Sequence, residues 1–217
     1  MSRDTVLVDR EVTRRKFSRE LEAWKSNPDT KLRGWLLLKE DQTLPAVEIA
    51  FLAKLALSSG ASFLPAAVCT VRLAYDDYDL RPPSLTFIDP FSREPTSPHV
   101  RAILGTPEGP RDVLIDGHPL TGQPFLCLPG IREYHIHPQH TGDDWLLHRQ
   151  TRAGSLWTVC ERIWRLMVRN VVGLNASIQA FPIFPLRAQV ALQIAQGDVE
   201  ALSTGVVKTL DKPAAAD

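Results

Sequence analysis

Between Cys127 and His137 the sequence sets a thiol, a carboxylate and two imidazoles within eleven positions, as Cys-x5-Glu-x-His-x-His. The wider segment, Pro124 to His140, reads PFLCLPGIREYHIHPQH. If Glu133, His135 and His137 lie in extended chain, they share one face, because alternate residues of a strand point the same way. Pro129-Gly130 would fold Cys127 back toward that face. Two chemistries want such a set. Sulfur and nitrogen ligands bind zinc in a tetrahedral array, with a carboxylate as fourth ligand or supporting partner. The same groups support a nucleophilic cysteine, since a free thiol is only slightly ionised at neutral pH and a nearby imidazolium raises its thiolate fraction. The plain alternative is a buried apolar cysteine beside solvated histidines. Spacing alone does not separate these readings.

The elements that must position these groups follow from periodicity. Phe17, Leu21 and Trp24 recur at helical spacing and predict a helix over 12–26, ended by Asn27-Pro28-Asp29. Arg33 to Lys39, Ala46 to Leu57 and Ala66 to Tyr75 read as strands of an antiparallel meander, the last with a clear alternation. Prolines at 82, 83, 90, 95, 98, 107 and 110 confine 81–110 to a long loop with at most short strands. Short extended stretches are expected at 112–115, 125–128 and 131–137. Gly154-Ser155 should open a helix carrying Leu156, Val159, Cys160, Ile163, Leu166, Met167 and Asn170 on one stripe. A further helix is expected over 186–196, and 214–217 as a frayed end.

Other side chains carry less. Cys69, Cys160, Trp24, Trp35, Trp157 and Trp164 fall on core patterns, and Trp145 could serve the core or shape a site. Asp76, Asp77 and Asp79 form an acidic turn, read as solvated. Arg14, Arg15, Lys16 and Arg19 make a basic face on the first helix.

Composition sets bounds on the function. The 217 residues hold 25 basic and 25 acidic side chains, zero formal net charge, and 44% apolar residues. That is an ordinary globular chain, neither disordered nor polybasic, which argues against a nucleic-acid partner. Three cysteines are too few for a disulfide framework, no signal core is visible, and no apolar run approaches a membrane span, so a cytoplasmic protein is expected. One domain is expected over 1–217, with a proline-rich insertion at about 88–111 and a flexible tail at about 206–217.

A resemblance adds to this. Tyr78 to Phe87, YDLRPPSLTF, is similar to the double-proline stretch of ubiquitin-conjugating enzymes, and His118-Pro119-Leu120 followed by Phe125-Leu126-Cys127-Leu128 resembles the run around their catalytic cysteine. The Cys-Glu-His-His set also resembles a bacterial family first described as predicted metal-binding proteins and found with ubiquitin-like proteins. The resemblance implies an α+β ubiquitin-conjugating-like fold, with a β-meander, an N-terminal helix and C-terminal helices. It implies that Cys127 carries a ubiquitin-like protein as a thioester, received from an activating enzyme and passed to an amine on a target protein, in antiviral defence, without a cofactor. Glu133, His135 and His137 would assist. Leu120 stands where that family has asparagine, the His-Pro to cysteine spacing is one residue shorter, and insertions precede His118 and follow Cys127. His137-Pro138 also resembles a motif of zinc-dependent deubiquitinating peptidases, without their downstream Ser-x-x-Asp. Two competitors therefore remain: a zinc protein or metallo-hydrolase using Cys127, His135 and His137, and a non-catalytic module that binds the ubiquitin-like protein.

Overall fold

A computed structural model describes residues 8–56, 63–98, 100–169, 173–179 and 187–193. The architecture is α+β, with an N-terminal helix, an antiparallel sheet and C-terminal helices. Helix α1 (Arg10–Ser26) starts at Asp9, whose carboxylate accepts the backbone N–H groups of Glu11 and Val12, two of the donors a helix start leaves unpaired. Thr13, Phe17, Leu21 and Trp24 form its buried stripe. A single turn, α2 (Asp29–Leu32), leads into strands β1 (Trp35–Asp41), β2 (Ala46–Ala56), β3 (Phe63–Ala74) and β4 (Ser84–Phe87), which lie in that order in one sheet. Trp35 pairs with Phe51 between β1 and β2, and Val71 with Phe87 between β3 and β4.

The alternation expected in β3 holds in its second half, where Val71, Leu73 and Tyr75 are buried and Arg72 and Ala74 are not. Val68, Cys69 and Thr70 are buried on both faces, because Ile88 donates its N–H to the Thr70 carbonyl and the chain after β4 lies against them. The proline-rich region holds the Ile88–Pro95 bridge and a hairpin of β5 (Ile103–Thr106) and β6 (Gly109–Asp112).

Helix α5 (Leu156–Ile163) continues as a π-helical turn over Trp164–Val168 and lies beside α1, where Glu20 accepts the Leu156 N–H. Trp35 packs on Trp24 and Trp157, with ring centroids 6.3 and 4.9 Å apart. The Arg33 guanidinium covers Trp35, Trp157 and Trp164 and pairs with Glu161 at 2.8 Å. Cys69 and Cys160 are buried, as their patterns implied.

The chain falls into two compact units, 1–52 with 67–168, and 53–66 with 169–217. In the second, β9 (Gly173–Gln179) pairs antiparallel with β10 (Arg187–Gln193). The helix expected over 186–196 is thus a strand. Alanine and glutamine favour helix, but propensity is a weak prior that strand pairing overrides, and the segment also alternates at period two, so that Ala188, Val190 and Leu192 sit opposite Ile178, Ala176 and Leu174. The expected tail at 206–217 lies outside the described residues. Among the described residues no helix is long and apolar enough to cross a membrane.

Candidate functional site

Cys127 follows two short paired strands, β7 (Leu114–Ile115) and β8 (Phe125–Leu126), and its own N–H continues that ladder to the Val113 carbonyl at 2.7 Å. Its backbone is thereby fixed while its side chain stays partly exposed, alone among the three cysteines. The residues after it do not form the extended stretch expected over 131–137. Gly130 turns the chain with φ +94°, and Arg132–His135 closes a helical turn, α3, through the Ile136 N–H and the Arg132 carbonyl at 3.0 Å. A single turn is too short to show its period in sequence. Its effect is large, because about 100° of rotation per residue sends Glu133 and His135 to opposite sides.

Glu133 points into the protein. It is 7% exposed, and its carboxylate accepts the Ser84 hydroxyl at 2.5 Å and the Leu85 N–H at 3.0 Å, tying α3 to β4. Arg132 reinforces that tie through the Pro82 carbonyl and the Asp76 carboxylate. Glu133→Ala would leave the buried Leu85 N–H and the half-buried Ser84 hydroxyl without their acceptor, and the expected loss is about 2–4 kcal/mol of stability. It should appear as a melting temperature lower by roughly 5–12 °C. A catalytic Glu133 would instead show lost activity at unchanged melting temperature.

His135 is held at both nitrogens. Gly130 donates its N–H to Nε2 at 3.0 Å, so the ring proton sits on Nδ1 and goes to the Asp143 carbonyl at 2.9 Å. Burial lowers its pKa in keeping with that neutral form. His137 accepts the Gln139 N–H on Nδ1 at 3.2 Å, which puts its proton on Nε2, an atom with no hydrogen-bond partner among the described residues. Its ring stacks on Phe125 at 5.3 Å, next to His118 and His140.

The imidazole that meets the thiol is His140, with Nε2 3.1 Å from Cys127 Sγ. The sequence pattern stopped at His137 and missed it. The available signal was Pro138, which opens a 3-10 turn over Pro138–His140 capped by His137 and brings the next histidine back. Burial pushes the Cys127 thiol up, with the Arg111 charge pulling the other way. Burial and the neighbouring His137 push His140 down. Both partners are therefore neutral at pH 7, a thiol beside a free imidazole base.

Around the pair, His118 is buried, accepts the Leu120 N–H on Nδ1 and donates from Nε2 to the Glu133 carbonyl at 2.9 Å. Trp145, on the turn α4 (Trp145–His148), is buried and donates from its indole to the Asp79 carbonyl, with its ring 5.6 Å from His135, so it serves core and site together. The acidic turn is paired rather than merely solvated. Asp76 meets Arg132, and Asp77 accepts the Val8 N–H. Asp79 binds Lys16 and Arg149, which outweigh the opposing effect of burial and lower it to about 2. Among the described residues, no three His, Cys, Asp or Glu side chains converge as a metal-ligand set.

A family model described as Y4jH-like, Y4jH family, matches residues 8–104 and 112–171. The chain belongs to this Y4jH-like family. Uncharacterized protein y4jH of Sinorhizobium fredii is similar to it, 31% identical over 177 residues that cover 72% of this chain and 82% of that relative. Cys127, Glu133, His135, His137 and His140 all fall within the family match, while residues 105–111, at the β5–β6 turn, fall outside it.

Proposed function

We propose that this Y4jH-like protein is a conjugating-type transferase of the cytoplasm, carrying a ubiquitin-like protein as a thioester on Cys127 and passing it to an amine on a target protein, in antiviral defence. The observation that carries this reading is the accessible Cys127 thiol set 3.1 Å from His140 Nε2. The order of helix, four-stranded meander, His-Pro, cysteine and C-terminal helix agrees with the resemblance of the sequence to ubiquitin-conjugating enzymes. The buried His118, bracing the loop before Cys127, agrees with it too.

In the first step Sγ attacks the thioester carbonyl held by the activating enzyme. The new S–C bond forms, the old one breaks, and the thiol proton passes through His140 to the departing sulfur. In the second step an amine attacks the same carbonyl, Sγ leaves as the thiol, and His140 again carries the proton. His137, with Nε2–H unengaged, is the donor for the developing oxyanion, the role left open by Leu120. His135 cannot take that role, since both its nitrogens are occupied. Glu133 supports the site by fixing α3 to β4.

The test is a non-reducing gel and peptide mapping after incubation with the ubiquitin-like partner, its activating enzyme and ATP. The expected product is a thiol-labile adduct mapped to the peptide containing Cys127. Absence of any adduct would favour a binding module, and an adduct mapped to a lysine or to another cysteine would also sink the reading.

A further inference from the structure

One carboxylate ties together the aromatic side chains around the thiol. Asp143 Oδ2 accepts the Tyr134 hydroxyl at 2.5 Å, Oδ1 meets His148 Nε2 at 2.5 Å, and the Asp143 carbonyl accepts His135 Nδ1 at 2.9 Å. The Tyr134 ring lies over His140, with centroids 3.9 Å apart and planes 24° from parallel. Burial and the bond to Asp143 push the Tyr134 hydroxyl up to about 12, so it stays a donor at neutral pH. Asp143 also closes the backbone after His140, donating its N–H to the His140 carbonyl at 3.1 Å.

This support answers a local need. His140 ends a three-residue 3-10 turn and is followed by Thr141 and by Gly142 at φ +100°, so its backbone alone gives the ring little restraint. A base displaced by about 1 Å from its proton can cost on the order of 10²-fold in rate. We infer that Asp143 and Tyr134 are positioning residues: the carboxylate fixes the phenol, the stacked phenol fixes the His140 imidazole, and the imidazole takes the proton of Cys127. The inference rests on the reading of Cys127 as a nucleophile.

Alkylation of Cys127 by iodoacetamide, measured from about pH 6 to about pH 10, reads this arrangement directly. Tyr134→Phe and Asp143→Ala should each slow the neutral-pH reaction by roughly 5- to 10-fold, and the double variant should be no slower than either, because residues acting as one unit are not additive. Asp143→Asn, which keeps an accepting oxygen, should recover most of the rate. In a His140→Ala background the same substitutions should have no effect, and at alkaline pH all variants should converge as the thiol ionises unaided. Wild-type rates in the single variants, or slowing that persists without His140, would overturn the inference. Should these rates follow expectation while no adduct with a ubiquitin-like protein forms, the functional reading fails and the positioning role stands. Should the adduct form while the variants alkylate normally, the reverse holds.

Discussion

If Cys127 carries the thioester as proposed, replacing it with alanine should remove the thiol-labile adduct altogether, and replacing it with serine should yield an adduct that survives thiol, is cleaved by hydroxide, and forms at least about 10²-fold more slowly. The alanine result follows because neither other cysteine can substitute. Cys69 and Cys160 are buried, and burial pushes the Cys69 thiol up to about 12 and Cys160 further, so neither supplies accessible thiolate. The serine result follows from the neighbour that remains. His140 can still accept a proton from a hydroxyl, and general-base help of this kind contributes about 10²–10⁴-fold, but an alcohol is a far weaker nucleophile than a thiol. The ester then lacks the thioester's activation, so transfer to an amine should stall and the adduct accumulate. Non-reducing gels with and without dithiothreitol and with hydroxide distinguish the three outcomes. Both substitutions replace a half-buried side chain of similar or smaller size, so the far-ultraviolet spectrum should remain that of the wild type. A structural cysteine would instead show a lower melting temperature and an unchanged adduct.

The framework of this protein was legible because its signals extend over many residues. Phe17, Leu21 and Trp24 repeat long enough to reveal a helix face, and the alternation ending at Tyr75 continues long enough to reveal a strand. The candidate site was legible in composition but not in geometry. Cys127 could be singled out because Cys69 and Cys160 fall on core patterns and it does not. The grouping of Glu133 with His135 and His137 assumed a strand's period of two, whereas one helical turn decides where those side chains go, and four residues cannot display that turn. His140 and Asp143 were missed because their contact with Cys127 and Tyr134 depends on a 3-10 turn and a positive-φ glycine, which place residues by backbone angle rather than by repeat. The strand at Arg187–Gln193 is hidden in the sequence for a different reason: the pairing that decides it lies in another segment, Gly173–Gln179, and a local propensity carries no information about a partner strand.

Gly130→Ala tests the hinge on which the whole arrangement turns, and it should be the most destabilising single-methyl change near the site. A Cβ there would stand 2.4 Å from the Ala153 carbonyl oxygen and 2.7 Å from its carbon, both backbone atoms that no rotamer change can move. The opposing segment has no room to retreat. A Cβ on Gly154 would already lie 2.9 Å from Pro83 and from Trp145, and Ser155 is the buried cap of α5. The positive φ adds a further cost of about 1–2 kcal/mol for an L side chain. Any shift of residue 130 also pulls its N–H away from His135 Nε2, releasing the ring that Asp143 holds. Together these predict a loss of about 3–5 kcal/mol, in the range of severe overpacking and strain combined. The melting temperature should fall by roughly 10 °C or more. Gly142→Ala is the matched control, with φ +100° but nothing within 4 Å of its added methyl, so only the backbone strain should appear. The difference between the two melting temperatures isolates the clash with Ala153. Equal losses at both positions would mean that the close approach of Gly130 to Ala153 is not what holds the thiol loop against the start of α5.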